Sequence, residues 1–84
     1  GAPRNANHFY EKGVLEFKKA DVEKSPVDLA TADKSLGIAI SLNNTFTKAY
    51  FMRGLVRFDL EKYRDAAKDF AESEKLGLDS ASRT

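Results

Sequence analysis

Residues 48–76 read KAYFMRGLVRFDLEKYRDAAKDFAESEKL, and this stretch gives the clearest indication of the fold. Apolar side chains recur three and four residues apart on both sides of a polar turn at residues 60–62. That spacing predicts two amphipathic helices. Because the connection is short, the two helices must run antiparallel as a hairpin.

The same pattern occurs earlier in the chain with two different offsets. Ala32, Leu36, Ala39 and Leu42 recur 34 residues later as Ala66, Phe70, Ser73 and Leu76, and Phe9, Tyr10, Gly13, Val14 and Phe17 recur 41 residues later as Tyr50, Phe51, Gly54, Leu55 and Phe58. A repeat of this length indicates stacked units that cannot bury their apolar faces alone. The first unit therefore has seven extra residues, which either lengthen its first helix through Lys24 or form a loop at residues 20–24.

The boundaries of the first two helices follow from capping residues. The first helix is expected to begin near Ala6, with Asn5 as its N-cap. Ser25, followed by Pro26 in the first turn, is the expected cap of the second helix, because its side chain can accept from an unpaired backbone amide. The second helix is expected to end at residues 43–44, where asparagine tolerates the left-handed conformation.

Two further helices are predicted downstream of that stop. The third begins at Thr45 or Phe46, and the fourth follows the turn at residues 60–62. Gly77 is the expected C-cap of the fourth helix. Because strand-like alternation is nearly absent, the sequence predicts an all-α fold.

Composition narrows the function. The 84 residues form at most one small domain, and because its 14 basic and 13 acidic residues are intermixed, a nucleic-acid partner is not expected. The longest apolar run, residues 36–40, is far shorter than a bilayer span, so membrane insertion is not expected either. There is no cysteine, and His8 is the single histidine, so no metal site or cofactor is expected. Arg53 and Arg57 form a same-sign pair that needs acidic neighbours, with Glu16 and Asp59 as candidates. No arrangement of catalytic side chains is evident, so an enzyme is not expected.

Residues 48–76 resemble a tetratricopeptide repeat. The resemblance lies in an aromatic residue, Tyr50, four residues before Gly54, then Ala66 twelve residues later and Phe70 four further on. It implies two antiparallel helix-turn-helix hairpins stacked as a short right-handed superhelix. Repeat 1 would span residues 5–44, repeat 2 residues 46–78, and residues 79–84 would link to a missing third repeat.

The resemblance also implies a concave groove that binds an apolar peptide or helix of a partner protein. The expected groove residues are Tyr10, Val14, Phe17, Lys48, Phe51, Met52, Leu55 and Phe58. An aromatic stripe can also belong to the core, an interpretation favoured for Phe17 and Phe58, whereas Phe51 and Leu55 are expected to be exposed. Some family members clamp a chaperone carboxylate, but the matching positions here, Tyr10, Val14 and Met52, cannot do so.

Two other functions stay open at the level of the sequence. The apolar open end of the repeats could pair with a second copy and form a homodimer, or the chain could be a regulatory domain of a larger enzyme. The absence of cysteine gives no information on the compartment, and a cytoplasmic location is only slightly favoured.

Overall fold

The described residues form four helices in two stacked hairpins. The computed structural model describes the backbone of residues 2–82 and the side chains of residues 5–79. Helix α1 spans Ala2–Glu23, α2 Pro26–Leu42, α3 Thr47–Asp59 and α4 Tyr63–Ser82, and the described residues contain no strand. Helices α1 and α2 form the first hairpin, α3 and α4 form the second, and the hairpins stack mainly through α2 and α3. The predicted all-α fold is confirmed.

The start of α2 follows the predicted capping, but the start of α1 does not. Ser25 has an extended backbone, and its side chain accepts a hydrogen bond from the Asp28 amide at 3.4 Å. Helix α1 begins at Ala2, so Asn5 lies inside the helix and is not its N-cap. Pro3 falls in the first turn of α1, a position where proline is tolerated because the amide has no helical partner.

The predicted helix stops are partly wrong. Asn43 does end α2, but with φ −145° it is extended and not left-handed. Gly77 lies inside α4, which continues to Ser82, so it is not a C-cap. Residues 79–82 of the proposed linker are helical, residues 83–84 lie outside the described residues, and the division into repeats stays a prediction.

The left-handed residues occur instead at the two hairpin turns. Lys24 has φ 55° and Glu61 has φ 63°. After Glu61, the Lys62 amide donates to the Arg57 carbonyl at 2.8 Å, and the Glu61 amide donates to the Phe58 carbonyl at 3.0 Å. This pair of bonds is the Schellman helix stop, here without its usual glycine.

The seven extra residues are divided between both helices of the first hairpin. Helix α1 runs ten residues past Gly13, whereas α3 runs five past Gly54. Helix α2 begins six residues before Ala32, whereas α4 begins three before Ala66. Because the first turn is one residue shorter, these differences account for the insertion. The first hairpin therefore extends about one helical turn, roughly 5 Å, beyond the second.

Glycine sits at the close contact of each hairpin. A Cβ atom on Gly13 would lie 2.7 Å from Leu36 Cγ, and one on Gly54 would lie 2.6 Å from the Phe70 ring. The two partners are themselves 34 residues apart, as the repeat requires. The equivalence inferred from the sequence therefore holds in the packing of both hairpins.

The core between the hairpins is built largely from small side chains. One buried cluster contains Ala32, Leu36 and Val56, and the other contains Ala39, Ile40 and Ala49. Alanine at these positions lets the helix backbones approach closely, and the larger neighbours fill the remaining space. The partly buried neighbours around the clusters are Phe9, Tyr10, Phe17, Leu29, Phe46, Tyr50, Met52 and Leu60.

Candidate functional site

The outer face of α3 carries a row of exposed and partly exposed side chains. Lys48, Phe51, Leu55 and Phe58 lie at successive helical spacings of three and four residues. The opposite side of the helix is buried through Ala49 and Val56. Phe51 and Phe58 remain 48% and 55% exposed, which is unusual for large aromatic side chains. We call these four residues the α3 face.

Aromatic neighbours on α4 hold the two exposed rings in place. The Phe51 ring centroid lies 5.7 Å from that of Phe70, which itself covers Gly54. The Phe58 ring packs edge-on against Tyr63, with 5.1 Å between centroids. Such aromatic pairs restrict ring motion, so the apolar surface is pre-organised before any partner arrives.

Helix α1 contributes a second apolar surface. Tyr10, Glu11, Val14 and Leu15 line an open cavity of about 270 Å³. The Tyr10 ring lies 5.0 Å from that of Phe46, and Tyr10 also packs against both buried clusters. The cavity therefore has one rigid wall, and Glu11 is its single acidic residue.

The predicted groove residues fall into two groups. Tyr10, Phe17 and Met52 pack against the buried cluster of Ala32, Leu36 and Val56. Lys48, Phe51 and Phe58 are exposed, while Val14 and Leu55 are half-buried. A binding role for any of these eight residues stays a prediction.

The sequence favoured a core position for Phe17 and Phe58, and this prediction was right for Phe17 and wrong for Phe58. Phe17 does pack against the core, and Phe51 is exposed as expected. Phe58 is exposed although its place beside a turn favoured burial. Its neighbour across the turn, Tyr63, is also exposed and was not among the predicted site residues. The signal that could have found Tyr63 is its position five residues after Phe58, directly across the turn.

A network of charged side chains lies on the other side of α3. Arg53 donates to Asp69 twice, from Nε at 2.9 Å and from Nη2 at 2.8 Å. Arg57 donates from Nη1 to Asp69 at 3.2 Å and from Nε to Asp33 at 3.0 Å. The Lys62 ammonium lies 4.0 Å from Asp33. We call these five residues the arginine network.

The acidic partners predicted for the two arginines were wrong. Neither Glu16 nor Asp59 pairs with them: Glu16 accepts from the buried Ser35 hydroxyl at 2.6 Å and pairs with Lys12 at 3.2 Å. The true partners lie 12 to 24 residues away in the sequence. They come together only when α2, α3 and α4 have packed.

Two side chains on α3, Arg53 and Tyr50, have raised pKa values. The hydrogen bond to Asp69 raises the pKa of Arg53 above its usual range, so this guanidinium stays charged at any ordinary pH. Burial raises the pKa of the Tyr50 phenol. Tyr50 donates from its hydroxyl to the Asn44 carbonyl at 3.0 Å, which ties α3 to the loop before it.

The described residues contain neither a metal-binding cluster nor a membrane-spanning helix. Among residues 5–79, no group of three or more histidine, aspartate or glutamate side chains could hold a metal ion. Within residues 2–82, none of the helices combines the length and apolar character needed to cross a membrane. The fold and the α3 face define the class of the molecule as a small all-helical, repeat-like protein with an apolar outer surface.

Comparisons with known proteins find relatives of one name in three organisms. The chain is 42% identical to RNA polymerase II-associated protein 3 of Mus musculus over 71 residues, which is 84% of this chain and 11% of that protein. The protein of the same name from Rattus norvegicus is 40% identical over 71 residues, again 84% of this chain and 11% of that protein. The one from Homo sapiens is 44% identical over 57 residues, 68% of this chain and 9% of that protein.

The likeness covers a small part of those relatives. The chain spans about a tenth of the length of the proteins it matches. No protein-family model matches the chain, and no solved structure matches it significantly. The name of these relatives states that they associate with RNA polymerase II. That statement describes the relatives, not the present chain.

Proposed function

We propose that the chain is a tetratricopeptide-type interaction module that binds an apolar helical segment of a partner protein and performs no catalysis itself. The observation that carries this proposal is the exposure of Phe51 and Phe58 on a helix whose other side is buried. Exposed apolar residues grouped on one surface are typical of protein-binding sites.

A helical ligand suits the spacing of the α3 face. Phe51, Leu55 and Phe58 present apolar atoms at intervals of one helical turn along about 10 Å of helix. An amphipathic helix presents its own apolar residues at the same intervals, so the two surfaces can interdigitate. Lys48 at one end is the cation available for an acidic residue of the ligand, with Lys18 a second exposed cation on α1.

The comparisons support an adaptor role at a coarser level. Relatives named RNA polymerase II-associated protein 3 contain a segment like this one. An interaction module is the kind of segment that such a protein needs, and it is expected to act without a cofactor. The identity of the partner of this chain is left to experiment.

Photocrosslinking tests the proposal directly. A photoreactive phenylalanine analogue at Phe51 is expected to crosslink a protein from cell lysate, whereas the same analogue at Lys68, exposed on α4, is not. The crosslinked segment, made as a synthetic peptide, should bind the purified chain in fluorescence anisotropy and gain helical circular dichroism on binding.

Two matched variants decide whether the α3 face is responsible. Phe51→Glu with Phe58→Glu should abolish peptide binding, because charge would replace the apolar contact. Leu78→Glu, a change of an equally exposed apolar residue on α4, should leave it intact. Equal binding by both folded variants would refute the proposed surface. If no peptide is found and ultracentrifugation shows a dimer that the double variant dissociates, the partner is a second copy.

A further inference from the structure

Polar contact between the two hairpins converges on one carboxylate. In the part of the chain that the structure describes, Arg57 and Lys62 of the second hairpin both reach Asp33 of the first. Arg57 makes the shorter contact, 3.0 Å from its Nε to Asp33 Oδ1. Its side chain is only 24% exposed, so water competes weakly for this bond.

The apolar contacts between the hairpins are less directional. Ala32 and Leu36 of α2 meet Val56 of α3, and Ala39 meets Ala49 farther along. The free energy of apolar contact depends on the buried area and not on direction. Small side chains such as alanine therefore permit some rotation of one helix against another. A planar guanidinium hydrogen-bonded on two edges does not permit this, because its donors are fixed in a fork.

Arg57 is held on both edges by carboxylates from different hairpins. Its Nη1 donates to Asp69 on α4, and its Nε donates to Asp33 on α2. Asp69 also accepts from Nε and Nη2 of Arg53, so both of its oxygens are hydrogen-bonded within the second hairpin. The guanidinium of Arg57 is therefore fixed to the second hairpin and points its remaining donor edge at the first.

We infer that Arg57 and Asp33 are positioning residues that set the orientation of the first hairpin against the second, and with it the spacing between the apolar surfaces of α1 and α3. Helices α1 and α3 touch each other very little, so their spacing depends on the angle at which α2 packs against α3. The consequence for ligand binding rests on the proposed function, whereas the orientation itself does not.

Loss of Asp33 should release this link while leaving each hairpin intact. Without Asp33, the two arginines share the single carboxylate of Asp69, and like charges one helical turn apart repel. Arg57 is then expected to turn outward into water. The Arg53–Asp69 pair and the Gly54–Phe70 contact lie within the second hairpin and should persist. The Glu16–Ser35 hydrogen bond lies within the first hairpin and should persist too.

Distance measurement by pulsed electron spin resonance tests the inference. The chain has no cysteine, so Val22→Cys on α1 and Ala71→Cys on α4 can carry nitroxide labels without further changes, and both positions are exposed. Val22 lies near the tip of the longer hairpin, where a rotation moves it most. The parent chain should give one narrow distance distribution, and Asp33→Ala should displace or broaden it.

Further variants separate positioning from general loss of stability. Asp33→Glu restores the carboxylate and should restore most of the narrow distribution, whereas Lys12→Ala breaks an ion pair inside α1 and should change nothing. Arg57→Lys keeps the charge but loses the fork, so it should broaden the distribution even where Asp33→Ala fails to fold. Unchanged distributions in folded Asp33→Ala and Arg57→Lys would overturn the inference.

The outcome is independent of whether the α3 face binds a ligand. The distances are measured on the free chain, so a failure of the crosslinking experiment leaves this result standing. If the ligand peptide is found, Asp33→Ala should weaken its binding although no atom of Asp33 belongs to the α3 face. If Asp33→Ala changed the distance between the labels but not the affinity for the peptide, Asp33 would orient the hairpins without affecting ligand binding.

Discussion

Asp69 on α4 receives three hydrogen bonds from two arginines of α3, with Arg53 bound through both Nε and Nη2. Asp69 is 3% exposed, so its charge is almost completely removed from water. A buried carboxylate is tolerated when its partners satisfy it fully, and no buried side-chain N or O atom among the described residues lacks a partner. The second hairpin is thus built around an ionic contact as well as an apolar one.

Removing this carboxylate should destabilise the protein strongly. Asp69→Ala leaves Arg53, which is 17% exposed, without its bidentate partner, and breaking a buried pair in this way costs about 3–5 kcal/mol. Urea unfolding followed by circular dichroism measures the change. Lys19→Ala is the control, because its exposed pair with Glu23 is worth less than about 1 kcal/mol. Similar losses in the two variants would show that Asp69 does not stabilise the fold as described.

Two glycines in helices should respond oppositely to alanine. A Cβ atom on Gly54 would meet the Phe70 ring at 2.6 Å, so Gly54→Ala forces a shift in packing that typically costs about 1–3 kcal/mol. Gly77 has no atom within 4 Å of such a Cβ atom, so Gly77→Ala should stabilise the helix by up to about 1 kcal/mol. Thermal unfolding should move down for the first variant and up for the second.

The same substitution at Gly13 tests whether the two hairpins are structurally equivalent. Gly13→Ala should behave like Gly54→Ala, since its Cβ atom would lie 2.7 Å from Leu36. If Gly13→Ala raised the unfolding temperature as Gly77→Ala should, the close contact would be absent from the first hairpin. The two hairpins would then share a sequence pattern but not the same packing.

The period of the sequence predicted the number and pairing of the helices. It succeeded because apolar residues at helical spacing must be buried, and short turns leave few ways to do so. Gly13 and Gly54 were matched as equivalent positions of the repeat, and each lies at the close contact of its hairpin. The start of α1 was misplaced because Asn5 can stand inside a helix as well as at its cap, while Pro3 marked the true first turn.

The charged contacts could not be predicted in the same way. Arg57 pairs with Asp33, 24 residues away, and local spacing carries no information about such a contact. The need for acidic partners was correctly deduced from the two like charges, but choosing them requires the stacking of the hairpins. Exposure of Phe58 was missed as well, because local spacing does not show that no helix covers its ring, which packs edge-on against the exposed Tyr63.

Tyr50 should make stability fall at alkaline pH. Burial raises the pKa of its phenol above the ordinary 10.0, so the folded protein holds this proton more tightly than the unfolded chain does. The contribution to stability is therefore complete below about pH 10 and is lost as the pH rises through the folded pKa. Tyr50→Phe removes this titration, and its unfolding free energy should decline less between about pH 9 and pH 11 than that of the parent chain. Parallel declines would contradict the assignment.

Glu61 is the position where a single glycine should stabilise the chain. Its φ of 63° places an L-residue in the left-handed region, which costs about 1–2 kcal/mol because Cβ crowds the following carbonyl oxygen. Glu61→Gly relieves the crowding while the two Schellman hydrogen bonds stay available, although the unfolded chain gains some freedom. The net expected gain is about 0.5–1 kcal/mol in urea unfolding. Glu61→Ala retains Cβ and loses the carboxylate, so it should give little gain. Equal effects from alanine and glycine would assign the change to charge and not to backbone conformation.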